Sequence, residues 1–319
     1  MGGALICAMD AAAIAEAAEH IRQGRLIAFG TETVYGLGAD AGNDRAVAAI
    51  YAAKGRPSFN PLISHVPDLK SAATLGDMDD RALTLAEALW PGPLTMVLRK
   101  KEDAPVSKLT TAGLDTVAVR VPAREAARAF LAECGVPVAA PSANRSGAIS
   151  PTRAEHVAAS LPGPGDGGPV MILDDGPCDI GLESTVVDLS TETATLLRPG
   201  GVTLETLQDL IGPVALAVSD DHAPKSPGML SRHYAPSASL RIDADAPADG
   251  EAFLGFGRAS APDGLNLSET GDLLEAAANL FEMLHRLDTS PDAKIAVAPI
   301  PDTGLGRAIN DRLRRAVRN

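Results

Sequence analysis

Cysteine and aromatic residues are both scarce in this chain. The three cysteines, Cys7, Cys134 and Cys178, are odd in number, widely spaced and without CxxC pairs or histidines at ligand spacing. We therefore expect neither a disulfide framework nor a zinc site. Aromatic residues make up 3% of the chain, which argues against the stacking surfaces that proteins use to bind single-stranded nucleic acids.

Positive charge and long apolar runs are lacking as well. The chain has 28 Lys and Arg against 41 Asp and Glu, a net charge of −13. Such a surface repels a phosphate backbone unless a local basic patch outweighs it, so direct nucleic-acid binding should be weak or absent. No apolar run approaches the roughly 20 residues of a membrane span, and Asp10 comes too early for a signal peptide. The sequence predicts a cytoplasmic protein that does not bind membranes.

The length of the chain predicts two domains. Its 319 residues exceed the usual size of one domain. Residues 213–238 contain four prolines and a polar run, which is typical of a linker. Residues 1–212 then form one α/β domain, in which Thr152 and Glu155 predict a capping box. Residues 239–319 alternate strands and helices and predict a smaller α/β domain.

One segment of the first domain predicts half of an anion site. The apolar strand from Leu26 to Phe29 leads into a small, hydroxyl-rich turn, Gly30 to Thr33. A helix follows and ends at the cations Lys54 and Arg56. Because Pro57 biases Arg56 toward an extended backbone, its guanidinium can project toward a phosphate or carboxylate. Arg198 before Pro199 repeats this arrangement.

Further polar side chains stand on or beside predicted strands. Residues 142–147 follow a strand with hydroxyl and amide groups, Ser184 begins another strand, and Arg120 lies on the polar face of an alternating strand. Such strand ends suggest a shared cleft. Two alternatives stay open at this point. One alternative for Arg120 is a solvated position at a sheet edge, which is the commoner position of a lone strand cation. His65 fits a buried structural role as well as a ligand role.

Eight motifs together resemble a known family. In chain order they are TETVYGLGADA, KGRPSFNPLISHV, WPGPLT, DTVAVRVP, APSANRSG with a following SPT, GLESTVVDL, LLRPGG and SPGMLSRHYAP. In this order they resemble the motifs of the L-threonylcarbamoyladenylate synthase family in its long two-domain form. The resemblance implies a YrdC-like fold, a twisted mixed sheet with helices around a concave cleft, with a smaller C-terminal α/β domain. It assigns residues 1–212 to catalysis, 213–238 to a linker or lid, and 239–319 to the C-terminal domain.

The resemblance also implies a reaction. Members are nucleotidyltransferases that condense L-threonine, bicarbonate and ATP into threonylcarbamoyl-AMP and pyrophosphate. The product goes to a tRNA-modifying transferase that makes threonylcarbamoyladenosine. Mg²⁺ is expected to accompany ATP through the phosphates and water, with Glu32, Asp174 and Asp175 as outer partners at most. No side chain stands out as a general base.

The site residues implied by the resemblance fall into three sets. The catalytic set handles ATP and consists of Lys54, Arg56, Ser142 and Asn144. The ATP-binding set consists of Arg56, Asn60, Thr116, Ala140, Ser142, Ser150, Arg198 and Tyr234. The threonine-binding set consists of Thr33, His65, Arg120 and Ser184. In it, Arg120 can pair with the substrate carboxylate and the hydroxyls can recognise the substrate hydroxyl.

The sequence departs from the family pattern at two places. Gly30 stands where proline is common, and Leu230-Ser231 replaces a lysine-aromatic pair in the linker.

Other functions fit the sequence less well. Residues 36–41 resemble the glycine-rich motif of dinucleotide-binding proteins, but the motif is separated from the preceding strand, and the sequence contains no P-loop motif. Hydrogenase maturation would require acylphosphatase and zinc-finger segments. A non-catalytic double-stranded RNA-binding protein of the same fold is the alternative, and the acidity of the chain argues against it.

Overall fold

The computed structural model describes residues 3–57, 59–217, 233–261 and 264–317. Most of the linker motif SPGMLSRHYAP, including the Leu230-Ser231 departure, lies outside these residues. In the described part of the chain no helix is both long enough and apolar enough to cross a bilayer. The predicted boundaries at residues 212 and 238 stay predictions.

The larger sheet has eleven strands of mixed direction, in the order β1-β8-β2-β3-β7-β4-β6-β5-β9-β10-β11. The predicted twisted mixed α/β fold is confirmed, because parallel pairs such as β4 with β6 alternate with antiparallel pairs such as β5 with β6. The strands are β1 Leu5–Ala8, β2 Ile27–Phe29, β3 Gly36–Asp40, β4 Ile63–His65, β5 Leu94–Arg99, β6 Thr116–Arg120, β7 Val138–Ala139, β8 Met171–Asp174, β9 Thr185–Asp188, β10 Thr195–Arg198 and β11 Ala215–Leu216.

Helices cover this sheet, and five of the seven are capped by short polar side chains. Asp10 accepts a hydrogen bond from the Ala13 amide at the start of α1, and Asn43 caps α2 in the same way. Helix α2 ends at Gly55, which adopts a left-handed φ of 61°. The helices of this part are α1 Ala11–Arg22, α2 Asp44–Lys54, α3 Leu69–Ala72, α4 Asp80–Leu89, α5 Glu125–Cys134, α6 Ala154–Ser160 and α7 Leu204–Ile211.

Gly38 allows strands β2, β3 and β7 to lie close together in the larger sheet. A Cβ at this position would lie 2.9 Å from the Val138 side chain and 3.1 Å from the Phe29 ring. Strand β3 can therefore pair with β2 on one side and β7 on the other only because residue 38 has no side chain. This pairing brings the loops that follow β2 and β7 to the same end of the sheet.

The smaller sheet has four parallel strands in the order β12-β15-β13-β14. Its elements are β12 Ser239–Arg241, β13 Ala252–Gly255, β14 Leu265–Asn266, α8 Leu273–Leu287, β15 Lys294–Val297 and α9 Leu305–Val317. One buried apolar cluster joins this unit to the larger one, since it contains Leu280 and Phe281 of α8 together with Val34, Leu182 and Tyr234. The smaller unit therefore packs against the end of the larger sheet where the polar loops gather.

Candidate functional site

A polar cavity lies at that end of the larger sheet, and most of the residues implied by the resemblance line it. Its free volume is about 40 Å³, which is room for water. The predicted residues in the lining are Thr33, Arg56, His65, Arg120, Ala140, Ser142, Ser184, Arg198 and Tyr234.

Arg120 is held at one end of the cavity by a buried ion pair. Its Nη2 donates to Glu32 Oε1 at 2.6 Å, and its Nε donates to the Gly92 carbonyl at 3.3 Å. Both side chains of the pair are almost completely buried, at 4% and 5% exposed. These contacts use two of the five N–H groups of the guanidinium. Arg120 is thus a fixed cation within the sheet and is not the solvated edge residue that was the alternative.

His65 lies beside Arg120 because β4 and β6 are parallel and pair these two residues directly. Its Nδ1 is 3.3 Å from the Ile63 carbonyl, and its ring meets Phe29 edge-on at 6.2 Å between centroids. Burial, with the neighbouring Arg120, lowers the pKa of His65 to about 3. The imidazole is therefore neutral near pH 7. It can exchange hydrogen bonds with a ligand but is a weak general base.

Hydroxyl groups complete this end of the cavity. Thr31 and Thr33 share a hydrogen bond of 2.9 Å between their Oγ1 atoms, and the Ser184 Oγ is 2.7 Å from Thr95 Oγ1. Arg198 donates from Nη2 to the Ser184 Oγ at 3.1 Å and to its carbonyl at 2.8 Å. A fixed cation, a neutral imidazole and several hydroxyls make a setting suited to a small hydroxylated acid.

Arg56 and Lys54 approach the other side of the cavity. Arg56 donates to the Pro61 carbonyl at 3.2 Å and more weakly to the Asn60 carbonyl. Burial lowers the pKa of Arg56 to about 10, which leaves it charged at neutral pH. Lys54 Nζ donates to the Ser142 carbonyl at 2.6 Å and to the Asn144 carbonyl. Burial, with Arg56 nearby, lowers the pKa of Lys54 well below its usual range.

The charges of these side chains converge at His233. Burial lowers the pKa of its imidazole first, and Arg56, Lys54, Arg198 and a further arginine, Arg312, lower it further. Three arginines, Arg56, Arg198 and Arg312, therefore bring positive charge close to one residue of the cavity wall. A phosphate chain is the kind of ligand that such a field attracts.

Five of the implied residues are not in the lining of the cavity, although the structure describes all of them: Lys54, Asn60, Thr116, Asn144 and Ser150. Lys54 and Asn144 support the Ser142 loop from behind, since the Asn144 Nδ2 donates to the Arg145 and Ala148 carbonyls. Ser150 donates to Glu183. Both polar atoms of the Asn60 side chain are buried and have no partner among the described residues, so Asn60 retains its capacity to bind a ligand.

Thr116 lies at the opposite end of strand β6 from the cavity residue Arg120. It begins strand β6, whereas Arg120 ends it. At about 3.3 Å per residue the two lie roughly 13 Å apart. The strand register places Thr116 near Pro61, because Ile63 pairs with Ala118. A single ligand, or two ligands bound side by side, could contact both Thr116 and Arg120 only by extending along the whole of strand β6.

Sequence reasoning missed several residues of this site. Glu183 and His233 line the cavity, and Arg312 reaches Glu183 from α9 with an Nε to Oε2 distance of 2.8 Å. Glu183 stands inside the motif GLESTVVDL and His233 directly precedes Tyr234, so both could have been considered. Arg312 is 129 residues from its partner, and no local pattern marks it.

Comparisons with known proteins agree with this geometry. Residues 19–200 match a family model described as "Telomere recombination", and residues 202–317 match one described as "Threonylcarbamoyl-AMP synthase, C-terminal domain". The chain is 43% identical to the threonylcarbamoyl-AMP synthase of Bacillus subtilis, with 95% of this chain and 92% of the relative covered. The corresponding values for the Pyrococcus abyssi protein of that name are 42%, 94% and 92%. The crystal structure of P. abyssi Sua5 complexed with L-threonine has a TM-score of 0.87 at 40% identity and covers 98% of this chain and 96% of that one.

Proposed function

The chain belongs to the threonylcarbamoyl-AMP synthase family, and we propose that it condenses L-threonine, bicarbonate and ATP into threonylcarbamoyl-AMP and pyrophosphate. The observation that carries this proposal is that the guanidinium groups of Arg56, Arg120 and Arg198 line one cavity, in which Arg120 is held as a fixed, buried cation. The relatives described above have this activity in their names, and one of them binds L-threonine.

At the amino-acid end, Arg120 is the proposed partner of the threonine carboxylate. Its pairing with Glu32 leaves the outer edge of the fork for a second carboxylate. Thr33, Ser184 and the neutral His65 are proposed to bind the threonine hydroxyl and amine. A site that pairs its buried polar groups with a substrate hydroxyl rejects an analogue lacking that hydroxyl. Valine should therefore be a poor substrate.

At the nucleotide end, the protein is proposed to act by positioning and by charge. When the carbamate oxygen attacks the α-phosphorus, negative charge grows on the phosphoryl oxygens and on the departing pyrophosphate. Arg56 and Arg198 are proposed to stabilise that charge from within a buried site, where their interaction with it is weakly screened. Ser142, Ala140, Asn60, Ser150, Thr116 and Tyr234 are the proposed nucleotide contacts, and Lys54 and Asn144 fix the Ser142 loop.

Mg²⁺ is proposed to arrive with ATP. It binds mainly through phosphate oxygens and keeps several waters, and it would neutralise charge on the phosphate chain. Among the residues that the structure describes, no three His, Cys, Asp or Glu side chains are grouped to hold a metal. Glu32 Oε2 is buried with no partner among those residues, which fits a contact to a metal-bound water. Asp174 accepts from Tyr35 and Asp175 pairs with Arg124, so both already serve as turn residues.

Two further parts of the proposal concern the fate of the product. Threonylcarbamoyl-AMP is a mixed anhydride, and a tRNA-modifying transferase is its proposed acceptor, with little direct tRNA binding by this acidic chain. The linker is proposed to close over the site and exclude water, although most of it lies outside the described residues. The described cysteines are unpaired, in keeping with a reducing compartment, for which we propose the cytoplasm.

The test is an assay of pyrophosphate release with ATP, magnesium, bicarbonate and labelled threonine. Arg56→Met should lower kcat/KM at least about 100-fold, since it removes a charge from the reacting phosphate. Arg45→Met is the matched control, because Arg45 is exposed on the same helix that leads to Arg56. Equal losses in the two variants would refute the assignment. Salt-sensitive binding of double-stranded RNA without pyrophosphate release would favour the RNA-binding alternative instead.

A further inference from the structure

Helix α9 of the smaller unit buries one arginine, Arg312, against the cavity wall. Its side chain is 1% exposed, whereas Arg314 two residues later is 54% exposed. A buried guanidinium is costly to desolvate and persists only where its surroundings pair it. Arg312 therefore has a more specific role than covering a surface.

Arg312 contacts three segments of the larger unit at once. Its Nε donates to Glu183 Oε2 at 2.8 Å, and its Nη1 donates to the Pro199 carbonyl at 2.9 Å. Its guanidinium carbon lies 5.0 Å from the centroid of the Tyr234 ring, a favourable cation–π distance. Glu183 and Tyr234 line the cavity, and Pro199 follows Arg198, which also lines it. One side chain of the smaller unit thus contacts three segments that form the wall of the cavity or adjoin it.

Glu183 transmits this contact to a proposed nucleotide residue. Its Oε1 accepts a hydrogen bond from Ser150 while its Oε2 is paired with Arg312. Burial alone would raise the pKa of Glu183, but Arg312 and Arg198 outweigh it and hold the pKa below its usual range. Glu183 is therefore an anion that Arg312 and Arg198 share. Without Arg312, Glu183 would be a buried carboxylate that has lost its direct ion-pair partner.

Tyr234 depends on the same arginine. Its backbone adopts a φ of 64°, which is uncommon for a residue other than glycine. Its hydroxyl is buried with no partner among the described residues, so it can still meet a ligand. Two residues of the smaller unit fix the plane of the ring. Arg312 lies over it, and Phe281 stacks on it at 5.7 Å between centroids. The orientation of the phenol is thus set by the smaller unit.

We propose that Arg312 is a positioning residue for the nucleotide end of the site, acting through Glu183 and Tyr234. The smaller unit then completes the nucleotide site, and the threonine end does not depend on it, because Arg120 is fixed by Glu32 and Gly92. This inference rests on the proposed function for the identity of the nucleotide as ATP. Lysine cannot replace Arg312 fully, since it lacks the planar fork that reaches an acid, a carbonyl and a ring together.

The experiment compares Arg312→Met and Arg312→Lys with Arg314→Met in the full chain. Steady-state pyrophosphate release gives KM for ATP and for threonine, and calorimetry with a non-hydrolysable ATP analogue gives nucleotide affinity without turnover. Arg312→Met should raise KM for ATP and the analogue Kd at least tenfold, and change KM for threonine less than threefold. Arg312→Lys should show the same split with a smaller rise, and Arg314→Met should behave as wild type.

Two results would overturn the inference. One is an unchanged KM for ATP in Arg312→Lys, a variant that keeps the buried charge and so remains informative if Arg312→Met does not fold. The other is an equal rise of both KM values, which indicates a general loss of structure. A wild-type protein that releases no pyrophosphate refutes the proposed function instead, and in that case the analogue Kd of the variants still tests Arg312.

Discussion

The ion pair between Glu32 and Arg120 allows a quantitative test of how the site is built. The two charged atoms are 2.6 Å apart and their side chains are 5% and 4% exposed. Removing one partner leaves an uncompensated buried charge, which costs about 3–5 kcal/mol of folding free energy. Replacing both with apolar side chains of similar volume is often neutral. We therefore expect Glu32→Met to destabilise the protein by about 4 kcal/mol and the double variant with Arg120→Met to recover most of that loss.

Urea unfolding at pH 7, followed by the fluorescence of Trp90, measures these differences. Trp90 is the single tryptophan of the chain, and it lies close to Gly92, whose carbonyl accepts from Arg120. Glu19→Met is the matched control, because Glu19 forms an exposed pair with Arg22 and its loss should change stability little. A double variant as unstable as the sum of the two single variants would refute the reasoning. The double variant should also lose threonine binding, which separates the stability of the pair from the proposed role of Arg120.

Three further outcomes are expected. Because the folded pKa of His65 is about 3 and the unfolded one about 6.5, wild-type stability should fall below pH 6.5 by about 1.4 kcal/mol per pH unit from this residue. His65→Gln should therefore gain about 2 kcal/mol relative to wild type between pH 6.5 and 5 in urea titrations, and a pH-independent difference would contradict this. Gly200→Ala should abolish soluble folding or activity, since a Cβ there meets the backbone of Glu183, whereas Gly165→Ala, with open space around it, should be tolerated. Ser184→Ala should reduce the preference for threonine over valine in competition assays, and an unchanged ratio would remove Ser184 from hydroxyl recognition.

Local features of the structure were predictable from the sequence because their causes are local. Asp10 caps α1 as predicted, and Arg56 before Pro57 does present a guanidinium close to a shared cavity. The capping box predicted at Thr152 was wrong. Helix α6 begins after Arg153 without a side-chain cap, and the Thr152 hydroxyl instead lies 3.5 Å from the His156 Nδ1.

Contacts between distant segments could not be predicted in this way. The alternatives left open for His65 and Arg120 depended on a strand register that joins residues 55 positions apart, and hydrophobic pattern alone does not fix such a register. The pairing of Arg312 with Glu183 likewise depends on how two units meet. The family resemblance supplied the list of site residues, but not the difference between those that line the cavity and those that support it.

The order of the larger sheet has a consequence for the growing chain. Strand β1, made in the first ten residues, pairs with β8 at residues 171–174, and β5 pairs with β9 at residues 185–188. Neither pair can form until more than half of the polypeptide has left the ribosome. Strands β1 and β5 therefore each have an unpaired edge while synthesis continues. Ser184 and Arg198 emerge just as these pairs close. The threonine end of the proposed site can therefore form once the sheet is complete, whereas the nucleotide end also requires Arg312, which is synthesised later.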